Sequence, residues 1–190
     1  MKSYGVIKQR ANHINYEEYQ ILKDLSYASK NLYNKALYIK RQNFFEIKAI
    51  RKSIGRSKLS TSSKKALLKR KDLSLLTYNE LYHIVKNEPE YKILNCNMSQ
   101  QILKLVDRSF KSFFALLKAR SNKTYNERVK LPNYLNKDGY FSLIIAEFSL
   151  KNYMFIVPLN RNHPNKQKIS FKLPPILKNK TVKEIRIIPK

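Results

Sequence analysis

Leu25-Ser26-Tyr27-Ala28-Ser29-Lys30-Asn31-Leu32-Tyr33-Asn34-Lys35-Ala36-Leu37 is the stretch that decides the fold. Leu25, Ala28, Leu32 and Ala36, continued by Ile39, recur at three- and four-residue steps, which gathers them on one face of a helix. Just upstream, Asn15-Tyr16-Glu17-Glu18 sets an N-cap residue three positions before a glutamate. At that spacing each side chain closes the other's open backbone N–H, so the helix has a defined start. The apolar stripe reads as core. Tyr27, Tyr33 and Tyr38 lie beside it, either closing the packing or facing a base.

Upstream of this helix, residues 4–9 read as a short strand. Downstream, the composition changes sharply. Across residues 40–71, twelve basic residues (Lys40, Arg41, Lys48, Arg51, Lys52, Arg56, Lys58, Lys64, Lys65, Lys69, Arg70, Lys71) face one acid, Glu46. Gly55 and the hydroxyl-rich residues 57–63 mark a break or mobile loop within that run. A solvated helix face normally interleaves both signs, so the one-sided run points to an anionic partner. Residues 73–107 are nearly neutral, with Lys86, Lys92 and Lys104 against Glu80, Glu88, Glu90 and Asp107. Positive charge is therefore segregated along the chain.

Thr77-Tyr78-Asn79-Glu80 is a second capping box, opening a short helix that runs to Asn87 and is stopped by Pro89. Asn97-Met98-Ser99-Gln100 is a third start signal, before a helix with Met98, Ile102, Leu105, Ser109, Phe113 and Leu116 along one stripe. After Ser121 the pattern turns extended. A basic loop through Leu131-Pro132 and the turn signal Asp138-Gly139 precede strands at residues 140–148, 153–157, 168–173 and 182–188. Lys168-Ile169-Ser170-Phe171-Lys172-Leu173 alternates as a half-buried strand should, and Pro158, Pro164 and Pro174-Pro175 fall between strands. The expected class is α+β. A first strand (residues 1–14) and the later ones (121–190) build a small β-barrel from both chain ends, with a helical module (15–120) inserted.

Composition bounds the function. Thirty-nine Lys and Arg against thirteen Asp and Glu leave a formal net charge of +26 on 190 residues, which calls for a polyanion, nucleic acid being the commonest. One cysteine, Cys96, excludes a disulfide framework or a cysteine-based zinc site within the chain. Three glycines leave no room for a glycine-rich phosphate loop. Met1-Lys2-Ser3-Tyr4-Gly5-Val6 lacks the apolar stretch of a signal peptide, and no apolar run could span a bilayer. A cytoplasmic, nucleoid-associated protein that touches no membrane is expected. No catalytic or metal constellation is visible. His13, His83 and His163 are isolated, Glu18 and Glu80 hold capping positions, Asp138 lies in a turn, and Glu147 alone cannot hold a metal pair. By its own residues this chain binds and does not cut.

The Leu25–Leu37 stretch, Thr77-Tyr78-Asn79-Glu80-Leu81, and Ser99-Gln100-Gln101-Ile102-Leu103-Lys104-Leu105-Val106-Asp107-Arg108-Ser109-Phe110-Lys111-Ser112-Phe113-Phe114 occur in this order. Together they resemble the N-terminal half of the TnpB (OrfB) family, insertion-sequence-encoded RNA-guided DNA endonucleases similar to compact type V CRISPR effectors. The resemblance implies a wedge-type β-barrel whose strands flank a helical recognition module. It implies as partners a guide RNA from the mobile element and a double-stranded DNA target. By position it implies that Tyr78 and Gln100, with Ser99 a weaker candidate, read a short DNA motif beside the target. Backbone contacts are expected from Lys40, Arg41, Arg51, Lys52, Arg56, Lys64, Lys65, Lys69, Arg70, Lys71, Arg108 and Lys111. The division of labour is that of RNA-guided recognition, where pairing reads most of the sequence and protein reads a flanking motif. The family's catalytic acids and paired-cysteine zinc motif belong to a nuclease domain expected beyond Lys190, so divalent metal and zinc are expected only there. Three other readings stay open: an enzyme completed by a separate nuclease-bearing chain, a decayed or regulatory nuclease-less derivative, and a general basic RNA-binding protein.

Overall fold

Helix α1 (Tyr16–Arg56) is 41 residues long, on the order of 60 Å at 1.5 Å per residue. Its start is the expected capping box: Glu18 N donates to Asn15 Oδ1 at 2.8 Å, and Asn15 N donates to Glu18 Oε2 at 3.0 Å. The computed structural model describes residues 5–11, 13–69, 73–165, 167–178 and 180–189. Leu25, Ala28, Leu32 and Ala36 are buried, and Ile39 packs against the same core. Gly55 stays helical. The break falls at Ser57, where the backbone turns extended, and Ser60 then caps α2 (Thr61–Leu68) by accepting from Ser63 N. Much of the hydroxyl-rich cluster expected as loop is thus a second basic helix.

Helix α3 (Tyr78–Val85) opens with the second expected capping box, Thr77 with Glu80. Pro89 does more than stop it. It occupies the first turn of α4 (Pro89–Ile93), where its missing N–H has no partner to lose. Helix α5 (Cys96–Ser121) is capped by Asn95, two residues ahead of the expected Asn97, with Asn95 Oδ1 accepting from Asn97 N at 3.0 Å. Its buried face is Met98, Ser99, Ile102, Leu103, Val106, Phe110 and Phe113. Leu105 and Ser109 are only half-buried and Leu116 is exposed. Both stripes obey helical spacing; the larger apolar payload of Val106 and Phe110 decides which one turns inward. α5 lies along α1, with α3 and α4 packed against both.

The strands are β1 (Leu143–Ile145), β2 (Leu150–Lys151), β3 (Met154–Ile156), β4 (Ser170–Lys172) and β5 (Ile185–Ile187), with a 3-10 turn at Pro175–Leu177 before β5. β1 pairs antiparallel with β5, Ile144 opposite Arg186. β2, β3 and β4 form a separate antiparallel meander in which Phe155 faces Phe171. Asn152 and Tyr153, at φ of 50° and 59°, make the tight β2–β3 turn, which needs positive φ at both centres. In the 168–173 segment Ile169 is buried while Lys168, Ser170 and Lys172 are exposed, as the alternation requires.

The α+β class holds, but among the described residues the strands form two small sheets and no closed barrel. Of the expected leading strand, Tyr4 lies outside the described residues. Residues 5–9 are exposed and carry no strand pairing, although Gln9 Nε2 donates to the Lys172 carbonyl at 3.2 Å. Val6 is 86 % exposed; Val6 and Ile7 are neighbours and would point to opposite faces of a strand, so the segment gathers no apolar face to hold it in a ladder. The sheets instead dock on the helices. Ser26 O accepts from Phe141 N at 3.1 Å, Ser29 Oγ donates to Ser142 O at 3.1 Å, and Asn34 bonds both backbone groups of Leu135. Lys30, itself buried, donates to the Lys137 carbonyl. The polar residues interleaved with the α1 stripe are therefore the rail on which residues 135–142 lie. Leu143, Ile145, Phe155, Val157 and Ile169 complete the helical core. Among the described residues no helix is long and apolar enough to cross a membrane.

Candidate nucleic-acid interface

Thr77 caps α3 and so fixes Tyr78 in its first turn, half-buried against the core. Lys104, one turn beyond Gln100 on α5, holds Nζ 5.9 Å from the centre of the Tyr78 ring, within cation–π range. Gln100 Nε2 donates to Cys96 Sγ at 3.4 Å, and Cys96 Sγ lies 3.5 Å from the Tyr91 hydroxyl. Burial first, and then the neighbouring Cys96 and Tyr82, push the Tyr78 phenol up. Tyr91 is pushed up further, by burial and then by its bond to Cys96. Both stay neutral phenols at ordinary pH, able to donate as well as accept. Tyr78, Tyr82, Tyr91, Cys96 and Gln100 therefore form one polar and aromatic cluster where α3, α4 and α5 meet, with Cys96 exposed and Gln100 half-buried.

Ser99 does not join Tyr78 and Gln100 at this surface. It is fully buried, and its hydroxyl donates to Tyr91 O at 3.0 Å, clamping α5 to α4. One residue is about 100° of helical rotation, enough to carry Ser99 inward while Gln100 stays at the rim.

The basic residues divide in the same way. Lys40 is 1 % exposed and donates from Nζ to Asp107 Oδ1 at 2.6 Å, with the Phe110 ring 5.3 Å away. It is an internal ion pair between α1 and α5, and the expected phosphate contact there is corrected. Arg41 is half-buried; it donates to Pro132 O at 3.1 Å and lies 4.9 Å from the Tyr134 ring centre. Arg51 is exposed and donates to Leu73 O at 3.0 Å. Lys52, Arg56, Lys65, Lys69 and Arg108 are exposed, and Lys64 is half-buried with a bond to the Gly55 carbonyl at 3.2 Å. Lys111 pairs with Asp107 at 2.9 Å although 77 % of its side chain is exposed. Arg70 and Lys71 lie outside the described residues. Burial alone would raise Asp107, but hydrogen bonds from Lys40 and Lys111 outweigh it and hold the carboxyl below its usual range.

Two pairs of phenylalanines escaped the sequence reading as a site. Phe44 on α1 faces Phe113 and Phe114 on α5, edge to face with Phe113 at 5.9 Å, and Phe45 lies beside Phe44. Adjacent helical residues point about 100° apart, so a Phe-Phe dipeptide at the edge of an apolar face turns one ring inward and the other toward the rim. That was the available signal. Phe45 is 44 % exposed and Phe114 39 %.

Among the described residues no group of three or more His, Cys, Asp or Glu side chains could hold a metal ion. His163 is occupied within its own loop, Nδ1 lying 2.8 Å from Asn165 O, and Glu147 is exposed on a bend between β1 and β2. No protein-family profile, curated protein or solved structure matches this chain.

Proposed function

We propose that this chain is the nucleic-acid-binding portion of a TnpB-like RNA-guided DNA endonuclease, holding guide RNA and target DNA and not cutting by itself. One observation supports the reading above the others: the far end of α1, with α2, carries exposed cations, while Tyr78 and Gln100 gather around Cys96 in a polar and aromatic cluster within the near-neutral segment 73–107. Lysines and arginines on the arm release counterions from phosphates without reading sequence. Tyr78 and Gln100 stand where a few polar contacts can discriminate bases without general electrostatic stickiness. In this reading the two sheets belong to the wedge-type barrel, metal chemistry belongs to a downstream nuclease domain, and the complex works in the cytoplasm at the nucleoid.

The test is to sequence the RNA that co-purifies with the chain from its native host after washing at elevated salt. A single discrete RNA from the end of the surrounding mobile element is the expected result. A mixture of ribosomal and transfer RNA overturns the guide role and favours a general basic RNA binder. In the same preparation, Gln100→Ala or Tyr78→Ala should cut discrimination of the flanking motif by about tenfold, roughly 1–3 kcal/mol of base readout, while RNA retention is unchanged.

A further inference from the structure

We propose that the cleft between the second half of α1 and the C-terminal half of α5 is a binding site for unpaired nucleotides. The proposal rests on the nucleic-acid-binding reading above but needs neither the guide nor the flanking motif. The cleft has a volume of about 850 Å³, inside the roughly 300–1,000 Å³ range of ligand sites. Its apolar lining joins the rings of Phe44, Phe45, Phe113 and Phe114 to aliphatic side chains such as Leu75 and Leu117. Its rim is cationic: Arg41, Lys48 and Arg51 from α1, with Arg128 and Lys130 from the segment after α5, and no carboxylate among the described residues that line it.

This combination selects the occupant. A duplex keeps its bases stacked inside and offers phosphates alone, leaving Phe45 and Phe114 in water. An apolar peptide covers the rings but sets five cations against no countercharge. An unpaired nucleotide brings both a π-face for the rings and a phosphate for the rim. The rim is also preorganised. Arg41 and Arg51 are steered by bonds to Pro132 O and Leu73 O, and a guanidinium has five donors, so one such bond leaves others for a phosphate.

The test uses the full chain with two fluorescein-labelled probes at matched salt, a twelve-nucleotide oligo-dT and a twelve-base-pair DNA duplex, read by anisotropy. Phe45 and Phe114 are both partly exposed, so Phe45→Ala with Phe114→Ala should lower the melting temperature but leave the chain folded at the assay temperature, which circular dichroism checks. The double variant should bind the single strand about tenfold or more weakly and the duplex unchanged. Arg128→Gln with Lys130→Gln should lower the salt dependence of single-strand binding by roughly two charges' worth. Unchanged single-strand binding by the phenylalanine variant, or equal weakening of both probes, overturns the cleft assignment. So does a dimer in light scattering that the variant converts to monomer, since a second copy then covers the rings. A wild-type chain that binds neither probe overturns the nucleic-acid reading itself; one that binds the duplex normally leaves that reading standing.

Discussion

Residues 16–40 and 41–56 form one unbroken helix and behave as two different materials. The first part buries Ile21, Leu22, Leu25, Ala28, Leu32, Ala36 and Leu37, and holds the sheets through Ser26, Ser29, Lys30 and Asn34. In the second part Ile47 alone is buried, and Lys48, Arg51, Lys52 and Arg56 look outward. Helix continuity comes from local bonding and a good cap, so it carries no information about the job of each turn. The role changes at Lys40, the last of the buried cations, locked to Asp107. A packed stretch tolerates charge only where it is partnered, as Lys40 is by Asp107 and Lys30 by the Lys137 carbonyl, whereas an overhang in high dielectric tolerates a single sign, since repulsion there is weak and screened.

The comparison breaks hardest at that pair. Asp107→Ala leaves Lys40 buried without a partner and should destabilise the fold by about 3–5 kcal/mol, measured by denaturant unfolding. Lys40→Met, which leaves Asp107 its exposed partner Lys111, should cost clearly less. Because the folded pKa of Asp107 lies below its unfolded value of about 3.9, its contribution is fully present above that value and lost as pH falls through the folded pKa. The gap between wild type and Asp107→Ala should therefore close in acid.

Changes on the overhang should move binding and leave stability alone. Neutralising Lys52, Arg56, Lys65 and Lys69 to Gln should flatten the salt dependence of duplex-DNA affinity by a log–log slope of roughly 3–4. Each change should shift unfolding by no more than about 0.5 kcal/mol. A large loss of stability would mean that these side chains pack as the residues before Lys40 do.

The smallest effect sharpens the boundary. A Cβ at Gly55 meets nothing within 4 Å, so Gly55→Ala should stabilise its turn by about 0.5–1 kcal/mol. If the overhang opens independently of the core, that gain appears as slower amide exchange in the last turns of α1, with the global unfolding midpoint unchanged.

What could be read ahead of the structure was what is local. Asn15 with Glu18 and Thr77 with Glu80 are bonds across three residues, and the α1 stripe and the 168–173 alternation are periodicities of single elements. What could not be read depends on partners far along the chain. A buried lysine looks like any lysine until Asp107, 67 residues away, is placed beside it. Whether Ser99 turns inward depends on which of two admissible stripes of α5 is buried, and Val106 and Phe110 settle that. How the strands join was hidden for the same reason: residues 5–9 have strand-like composition but no strand pairing, and sheet closure is a property of register, not of any one segment. The phenylalanine cleft needs two helices brought side by side before it exists at all.

That dependence on distant partners turns sequence distance into time. α5 begins roughly 40 residues after α1 ends, and a ribosome adding about 5–20 residues per second delivers it roughly 2–8 s later. For that interval Leu25, Leu32 and Leu37 have emerged without the surface that covers them. The next turns to emerge are the cationic ones, and on crowded polysomes like charge holds neighbouring nascent chains apart. The exposed stripe is thus followed at once by like charge, before there is any fold for the overhang to extend from.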